Sequence, residues 1–108
     1  MKRGTLYVLR AVGYENDIIK IGISNDHKRR IRTLRKNPPF DFDCVESFEF
    51  DDGNIPFVMK SDAHRYAKEN QLEVEFPEIF DGYSEWFRFS SDLLDLIRNS
   101  ARVAELTA

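Results

Sequence analysis

The side chains best suited to chemistry on a phosphate group are concentrated in one basic run. Residues 28 to 36 carry six cationic side chains and no acidic one, namely Lys28, Arg29, Arg30, Arg32, Arg35 and Lys36. Lysine and arginine bind phosphate groups, so a run of this kind predicts a surface that contacts a nucleic-acid backbone. A run of like charges on a helix can also be a solvated face without a partner, and the pattern alone leaves both interpretations open.

A second charged segment has the opposite sign. From Glu69 to Glu85 the sequence contains six acidic residues and no lysine or arginine. The formal net charge of the whole chain is −3, which argues against a protein that coats nucleic acid non-specifically. An acidic surface suits a basic partner or imitates DNA. The acidic segment 69–85 is therefore a candidate surface for recognising a protein partner.

Hydrophobic patterns and turn-forming residues divide the chain into a few strands and helices. Strands are predicted at 5–11, 18–23 and 42–50, a short extended piece at 84–89, and helices at 27–36, 56–70 and 93–104. The first two strands are close enough in sequence to form an antiparallel hairpin. The side chains of the third strand that are expected to share one face are Phe42, Cys44, Phe48 and Phe50. The order predicts an α+β fold in one domain over residues 1–108, a small antiparallel sheet of about three strands flanked by three helices.

Composition argues against a membrane protein and against a disulfide-stabilised one. The chain is 42% hydrophobic and 13% aromatic, which is typical of a folded globular protein. No apolar run approaches the roughly 20 residues that span a bilayer, so no membrane partner is expected. The single cysteine, Cys44, cannot form an intramolecular disulfide, and no Cys/His set has the spacing of a zinc site. These observations predict a cytoplasmic protein of a bacterium or a phage-infected cell.

Short motifs at the predicted junctions form an ordered series. They are Leu6-Tyr7-Val8-Leu9, Lys20-Ile21-Gly22-Ile23-Ser24, Asp26, Arg30-Ile31, His64 and Glu85-Trp86-Phe87. In this order the chain resembles the GIY-YIG nuclease superfamily. More specifically, it resembles a short phage and bacterial branch whose second motif is K-I-G and whose closing motif is E-W-F. The resemblance covers about residues 4 to 89, and it implies metal-assisted hydrolysis of phosphodiester bonds.

The resemblance implies roles for four side chains. Tyr7 matches the tyrosine of the first motif, Lys20 replaces the tyrosine of the second motif, and Arg30 matches the arginine that faces the phosphate. His64 matches the histidine on the family's second helix. A lysine at position 20 could act as a base if burial lowers its pKa. Outside this family context, Tyr7 and His64 suit ordinary packing positions, and Lys20 and Arg30 suit solvated charges.

Two family positions carry unexpected residues. The glycine of the first motif is Thr5, and the glutamate expected four residues before His64 is Lys60. The family glutamate holds a divalent cation, whereas a lysine ammonium cannot ligate a cation and repels it. The helical repeat directs Asp62 away from position 60, and Glu69 is more than two turns distant. We therefore expect no metal ligand here, and Mg²⁺ or Mn²⁺ would be a cofactor only if the protein is an active enzyme.

Three hypotheses for the function follow. The first is a weak or inactive GIY-YIG-like endonuclease that binds nucleic acid, DNA rather than RNA, through the cleft of Tyr7, Lys20 and Arg30. The second is an active metal-dependent DNA endonuclease with an atypical site, or one in which Lys60 replaces the electrostatic role of the metal. The third is a phage or bacterial regulator that binds another protein through the acidic segment 69–85.

The first hypothesis leads to specific structural expectations. The side chains expected to line one concave surface are Tyr7, Lys20, Arg30 and Lys60. The side chains of the basic run that are expected to bind nucleic acid are Lys28, Arg29, Arg32 and Arg35. In the short extended piece, at least one of Trp86 and Phe87 should be buried against the sheet and the last helix.

Overall fold

A four-stranded antiparallel sheet and two long helices organise the chain in the computed structural model, which describes residues 3–25, 29 and 38–107. The elements are β1 (Gly4–Val12), β2 (Ile18–Ser24), β3 (Asp41–Phe50), α1 (Asn54–Glu69), a 3₁₀-helix (Tyr83–Glu85), β4 (Trp86–Arg88) and α2 (Ser91–Thr107). The strands lie in the order β3-β1-β2-β4. The predicted α+β class is confirmed. The sheet has four strands rather than about three, because the extended piece at 84–89 contributes β4, which pairs with β2.

The first predicted helix, at 27–36, lies almost entirely outside the described residues. Of that segment the structure describes Arg29, which is helical and exposed. The predictions made for Lys28, Arg30, Arg32 and Arg35 fall outside the described residues and stay predictions.

Strand β1 lies inside the sheet and is buried on both faces. Leu6 and Val8 belong to the core on one face, and Tyr7 and Leu9 belong to the core on the other. A strand covered on both faces has a nearly continuous apolar sequence, as β1 does. The hairpin that joins β1 to β2 turns at Gly13, whose φ of 72° lies in the left-handed region that glycine adopts without strain.

A β-bulge in β3 makes the prediction of one shared apolar face wrong. The register between β3 and β1 shifts at Val45, which is an extra residue on β3. One extra residue reverses the alternation of side chains along a strand. Phe42 therefore packs on one face of the sheet, whereas Phe48 and Phe50 pack on the other, and Cys44 is exposed.

The larger core lies between one face of the sheet and the two helices. The helix residues buried there are Met59, Ala63 and Ala67 from α1, and Leu93, Leu94, Ile97 and Ala101 from α2. Their spacing of three and four positions puts each set on one side of its helix, as predicted for the last helix. The Oγ of Ser90 accepts a hydrogen bond of 3.2 Å from the backbone N–H of Leu93 and so caps α2. No helix in the described part of the chain combines the length and the apolar character needed to cross a membrane.

A smaller, largely aromatic core covers the opposite face of the sheet. Its buried members are Tyr7, Leu9, Ile18, Phe42 and Trp86. Phe40, Phe76 and Phe80 pack against it, and the ring centroid of Phe40 lies 4.9 Å from that of Trp86. Because Phe76 and Phe80 belong to the acidic segment 69–85, that segment is attached to the sheet through its own aromatic residues.

Trp86 and Phe87 anchor the short strand β4 in both cores. They are 2% and 1% exposed, so the prediction that at least one is buried is confirmed. Phe87 belongs to the larger core together with Phe50 and Leu93, and Trp86 belongs to the smaller one. A strand of three residues makes few backbone hydrogen bonds, so these two side chains hold it in place.

We expect Phe87→Ala to lower the free energy of unfolding by about 3–5 kcal/mol, because it leaves a cavity in the larger core. Tyr83→Ala is the matched control, since Tyr83 is a nearby aromatic residue that is 40% exposed. It should cost less than about 1 kcal/mol. Chemical denaturation followed by circular dichroism measures both values. Equal losses would contradict the burial of Phe87.

Candidate functional site

The site is built around a charged side chain inside the sheet. Lys20 lies in β2, opposite Leu9 of β1 and Trp86 of β4, and only 1% of its surface is exposed. Taking an ammonium group out of water costs several kcal/mol unless an opposite charge compensates it. The Nζ of Lys20 donates a hydrogen bond of 2.9 Å to Oε2 of Glu85. The compensating charge thus comes from the residue immediately before β4.

Glu85 joins two lysines from different elements. Its Oε1 accepts a hydrogen bond of 3.1 Å from Nζ of Lys60 on α1. Burial by itself would raise the pKa of the Glu85 carboxyl, but Lys20 and Lys60 outweigh that effect and hold the pKa below its ordinary value. Glu85 is therefore ionised at neutral pH. The side chain of Lys60 is 25% exposed, so its ammonium is accessible to solvent whereas that of Lys20 is enclosed.

Two glycines provide space for side chains of the site, Gly82 for Lys20 and Gly22 for Tyr7. A Cβ atom at Gly82 would lie 2.6 Å from Nζ of Lys20, and the φ of Gly82 is 79°. A Cβ atom at Gly22 would lie 2.5 Å from the hydroxyl oxygen of Tyr7, so the tyrosine ring rests against the backbone of its cross-strand partner. The glycine of the K-I-G motif is therefore required by Tyr7.

His64 reaches β2 from the helix-covered face of the sheet. Strand β4 pairs with β2 only as far as Lys20, and the next carbonyl, that of Ile21, accepts a hydrogen bond of 3.0 Å from Nε2 of His64. A carbonyl oxygen can only accept, so Nε2 carries the proton. Burial lowers the pKa of His64, the hydrogen bond to Ile21 opposes this, and nearby Lys60 lowers the pKa further. The ring is neutral at pH 7, and its Nδ1 keeps a lone pair.

Of the five residues predicted for the site, four lie in the described chain around the middle of β2: Tyr7, Lys20, Lys60 and His64. Lys20 and Lys60, which were expected to line one surface, are joined through Glu85. Tyr7 lies on the same face of the sheet as Lys20, whereas His64 packs against Phe87 on the opposite face. The fifth predicted residue, Arg30, lies outside the described residues.

Glu85 is the residue of the site that sequence reasoning missed. The closing E-W-F motif includes it, but the motif assigns it no partner. A signal for its role is nevertheless present in β2, where Lys20 stands between Ile19 and Ile21 in a strand of apolar residues. An ammonium group in such a strand requires a carboxylate nearby. The sequence does not say which of the many carboxylates takes this position.

The described residues at this edge of the sheet do not fit a divalent cation. Mg²⁺ and Mn²⁺ are held by oxygen ligands, typically carboxylates and water. The carboxylate that faces this edge, Glu85, already binds two ammonium groups. Asp62 forms an ion pair of 3.0 Å with Arg65 on an exposed surface of α1. Within the described ranges, no group of three or more His, Cys, Asp or Glu side chains could hold a metal ion.

The carboxylates of the acidic segment 69–85 have two different environments, the solvent and the site. Its exposed carboxylates are Glu69, Glu73, Glu75, Glu78 and Asp81. Between them, partly buried side chains such as Val74 and Phe76 pack against the smaller core. Glu85, in contrast, faces Lys20 and Lys60. The segment therefore supplies both an acidic surface and the central carboxylate of the site.

Comparison with a protein-family model defines the class of the domain. The match covers residues 4–102 and so includes every site residue described above. It places the protein among phage-associated, nuclease-like domains, a class that indicates interaction with nucleic acid in general. The chain belongs to the T5orf172 domain family. No curated protein and no solved structure matches the chain.

We expect Gly82→Ala to destabilise the protein more than Gly13→Ala. Both glycines have positive φ angles, 79° and 72°, so alanine should be strained at each by about 1–2 kcal/mol. No described atom lies within 4 Å of a Cβ at Gly13, whereas a Cβ at Gly82 displaces the ammonium of Lys20 from Glu85. The additional loss should be about 2 kcal/mol, the scale of a hydrogen bond to a charged group.

Denaturant titration of the two glycine variants measures this difference in unfolding free energy. Equal losses for the two variants would show that the pairing of Lys20 does not depend on the space at Gly82.

Proposed function

We propose that this protein is a GIY-YIG-related domain that binds nucleic acid, DNA in preference to RNA, and has weak or no endonuclease activity. The observation that supports this most directly is the ion pair of 3.1 Å between Lys60 and Glu85. It puts an ammonium group at the helix position from which, by resemblance, a glutamate would hold a metal ion. We propose the cytoplasm as its compartment, where the exposed thiol of Cys44 stays reduced.

The charge at the edge of the sheet supports phosphate binding. Lys20 and Lys60 bring two ammonium groups to this edge of the sheet, where both bind the ionised carboxylate of Glu85. Phosphate oxygens accept hydrogen bonds from ammonium groups, and the attraction does not depend on base sequence. Lys60 is the accessible member and would contact the phosphate. Lys20 is enclosed and would hold Glu85, and with it Lys60, in position.

The same arrangement supports weak catalysis. Phosphodiester cleavage requires stabilisation of the charge that develops on the phosphate and the leaving oxygen. The ammonium of Lys60 supplies a single positive charge and activates no water, whereas a divalent ion supplies two charges and lowers the pKa of bound water. Neutral His64 could accept a proton at Nδ1. A base without a strong electrophile would support at most slow cleavage.

A role in binding a basic protein is the second candidate. The observation that favours it is the exposed row of carboxylates on the acidic segment 69–85. Complementary charge accelerates and orients association between proteins. Unlike the first proposal, this role predicts no affinity for nucleic acid at low salt.

Binding and cleavage measured on the same preparation test the proposed function. Fluorescence anisotropy would follow labelled DNA and RNA of matched sequence over a range of salt concentrations, beside a plasmid-nicking time course with Mg²⁺ or Mn²⁺. We expect salt-dependent binding, tighter for DNA, and little or no nicking. Failure to bind either polymer at low salt would transfer support to the protein-binding role. Robust metal-dependent nicking by the unmodified chain would overturn the assignment of weak activity.

Replacing Arg29, Arg32 and Arg35 with alanine should weaken binding to all DNA sequences, because phosphate contacts carry no sequence information. The slope of log affinity against log salt should flatten by about 0.9 for each phosphate contact that is lost on duplex DNA. A matched control replaces three arginines outside the basic run with alanine and changes the net charge equally: Arg3, Arg98 and Arg102. Equal effects of the two triple variants would mean that the basic run has no special part in binding.

Lys60→Glu should create affinity for divalent ions, because it replaces the partly exposed cation of the site with a carboxylate beside Glu85. We expect calorimetry to detect Mg²⁺ or Mn²⁺ binding to the variant and a nicking assay to detect weak cleavage. Arg102→Glu makes the same change of charge on α2 and should gain neither property. The double variant Tyr7→Phe, Lys60→Glu should bind the ion and lose the cleavage. A Lys60→Glu protein that binds metal but stays inert would show that more than one residue of the catalytic site is missing.

A further inference from the structure

A groove along α1 has features that the proposed site does not use. It has a volume of about 510 Å³ and is bounded, besides Glu69, by Phe57, Lys60, Ser61, His64, Arg65 and Lys68. We call it the α1 groove. Because Lys60 is one of its walls, the groove adjoins the ion pair with Glu85. From there it extends along the helix to the last turn.

The α1 groove follows one side of the helix. Residues four positions apart lie on the same side of a helix. The groove contains two rows with this spacing, Lys60, His64 and Lys68 in one, and Phe57, Ser61 and Arg65 in the other. At a rise of about 1.5 Å per residue, the distance along the axis from Phe57 to Lys68 is about 16 Å. That length would accommodate a few nucleotides of an extended nucleic-acid strand.

The charge of the α1 groove is mainly positive. Lys60, Arg65 and Lys68 line it, against the carboxylate of Glu69. Lys60 and Arg65 each have a partly exposed carboxylate partner, and Lys68 forms no ion pair with any described residue. Cations spaced along a groove match the repeating charge of a phosphodiester backbone.

An exposed aromatic ring distinguishes this groove from a simple basic surface. Phe57 is 58% exposed although its side chain is entirely apolar. Proteins bind single-stranded nucleic acid by stacking bases on such rings while basic side chains follow the backbone. In a duplex, the faces of the bases are covered by their neighbours, so the ring would have nothing to stack on. The groove therefore fits unpaired nucleotides better than a duplex.

We infer that the α1 groove binds a single-stranded segment of nucleic acid, with a base stacked on Phe57 and phosphates bound by Lys60, Arg65 and Lys68. The inference rests on the proposed function, because Lys60 belongs to both surfaces. It adds the class of substrate, a nucleic acid with an unpaired stretch. Such a molecule would engage the edge of the sheet and the α1 groove at the same time.

The stacking contact is tested with a labelled single-stranded oligothymidylate. Phe57→Ala should weaken its binding by about 5- to 150-fold, the range for one stacked base, and leave the salt dependence unchanged. Val58→Ala, the neighbouring residue at 54% exposure, should not change the affinity. Phe57→Trp adds a direct signal, because the single native tryptophan, Trp86, is buried. The oligonucleotide should quench the new fluorescence, whereas tripolyphosphate, which has charge but no bases, should not.

The phosphate contacts are tested with the double variant Arg65→Ala, Lys68→Ala. Loss of two contacts on a single strand should flatten the slope of log affinity against log salt by about 1.4. The double variant Arg98→Ala, Arg102→Ala changes the net charge equally on α2 and should leave the slope unchanged. Circular dichroism and thermal unfolding establish that each variant is folded.

Binding of single strand and duplex by the same variants decides between the outcomes. Large losses on the single strand with small losses on the duplex support the inference. Equal losses on both polymers would make the groove a general backbone contact and overturn the single-strand assignment. Groove variants that bind normally, beside an Arg29, Arg32, Arg35 variant that does not, would overturn the inference and leave the proposed function standing. If the unmodified chain binds neither polymer at low salt, both fail.

Discussion

The buried ammonium group of Lys20 imposes the conditions that the surrounding structure meets. A charge that is 1% exposed is tolerated only beside an opposite charge, so Glu85 must lie within hydrogen-bonding distance of β2. That requirement fixes the start of β4 against β2, and it makes any side chain at Gly82 costly. Trp86 and Phe87, which directly follow Glu85, are buried in the two cores and so also hold Glu85 in place. Packing and charge therefore determine the position of Glu85 together.

The short length of β4 creates the accessible part of the site. Because β4 pairs with β2 only as far as Lys20, the next carbonyl of β2 is available to a side chain from α1. His64 donates a hydrogen bond to that carbonyl. Lys60, one turn earlier on the helix, donates a hydrogen bond to the second carboxylate oxygen of Glu85. The sheet edge and the helix are thus joined by side chains rather than by a further strand. A longer β4 would have satisfied the edge with backbone hydrogen bonds and left these polar groups without partners.

The parts of the fold that depend on local patterns were predictable, and those that depend on distant pairing were not. The hairpin, both described helices and the burial of Trp86 follow from turn residues, helical spacing and apolar character. The bulge at Val45 has no local signal, because it is decided by how β3 pairs with β1 and by which core each phenylalanine enters. In the site, Lys20 and Lys60 were expected to line one surface, but the ion-pair network that joins them was not predicted. It depends on Glu85, which is 65 positions from Lys20 in sequence.

The two ion pairs of Glu85 differ in how easily they can be exchanged for a contact with phosphate. Removing Glu85 from Lys20 would take a hydrogen-bonded carboxylate away from an enclosed ammonium, which is costly because a buried charge needs an opposite charge nearby. Lys60 is 25% exposed, so its ammonium can turn to a phosphate at a lower cost than the enclosed ammonium of Lys20. Lys20 and Glu85 then stay paired, and the fold is undisturbed. Since Lys60 also lines the α1 groove, the same movement would bring it toward a strand bound there. A glutamate at position 60 could not make this exchange, because it would repel both Glu85 and the phosphate unless a cation lay between them.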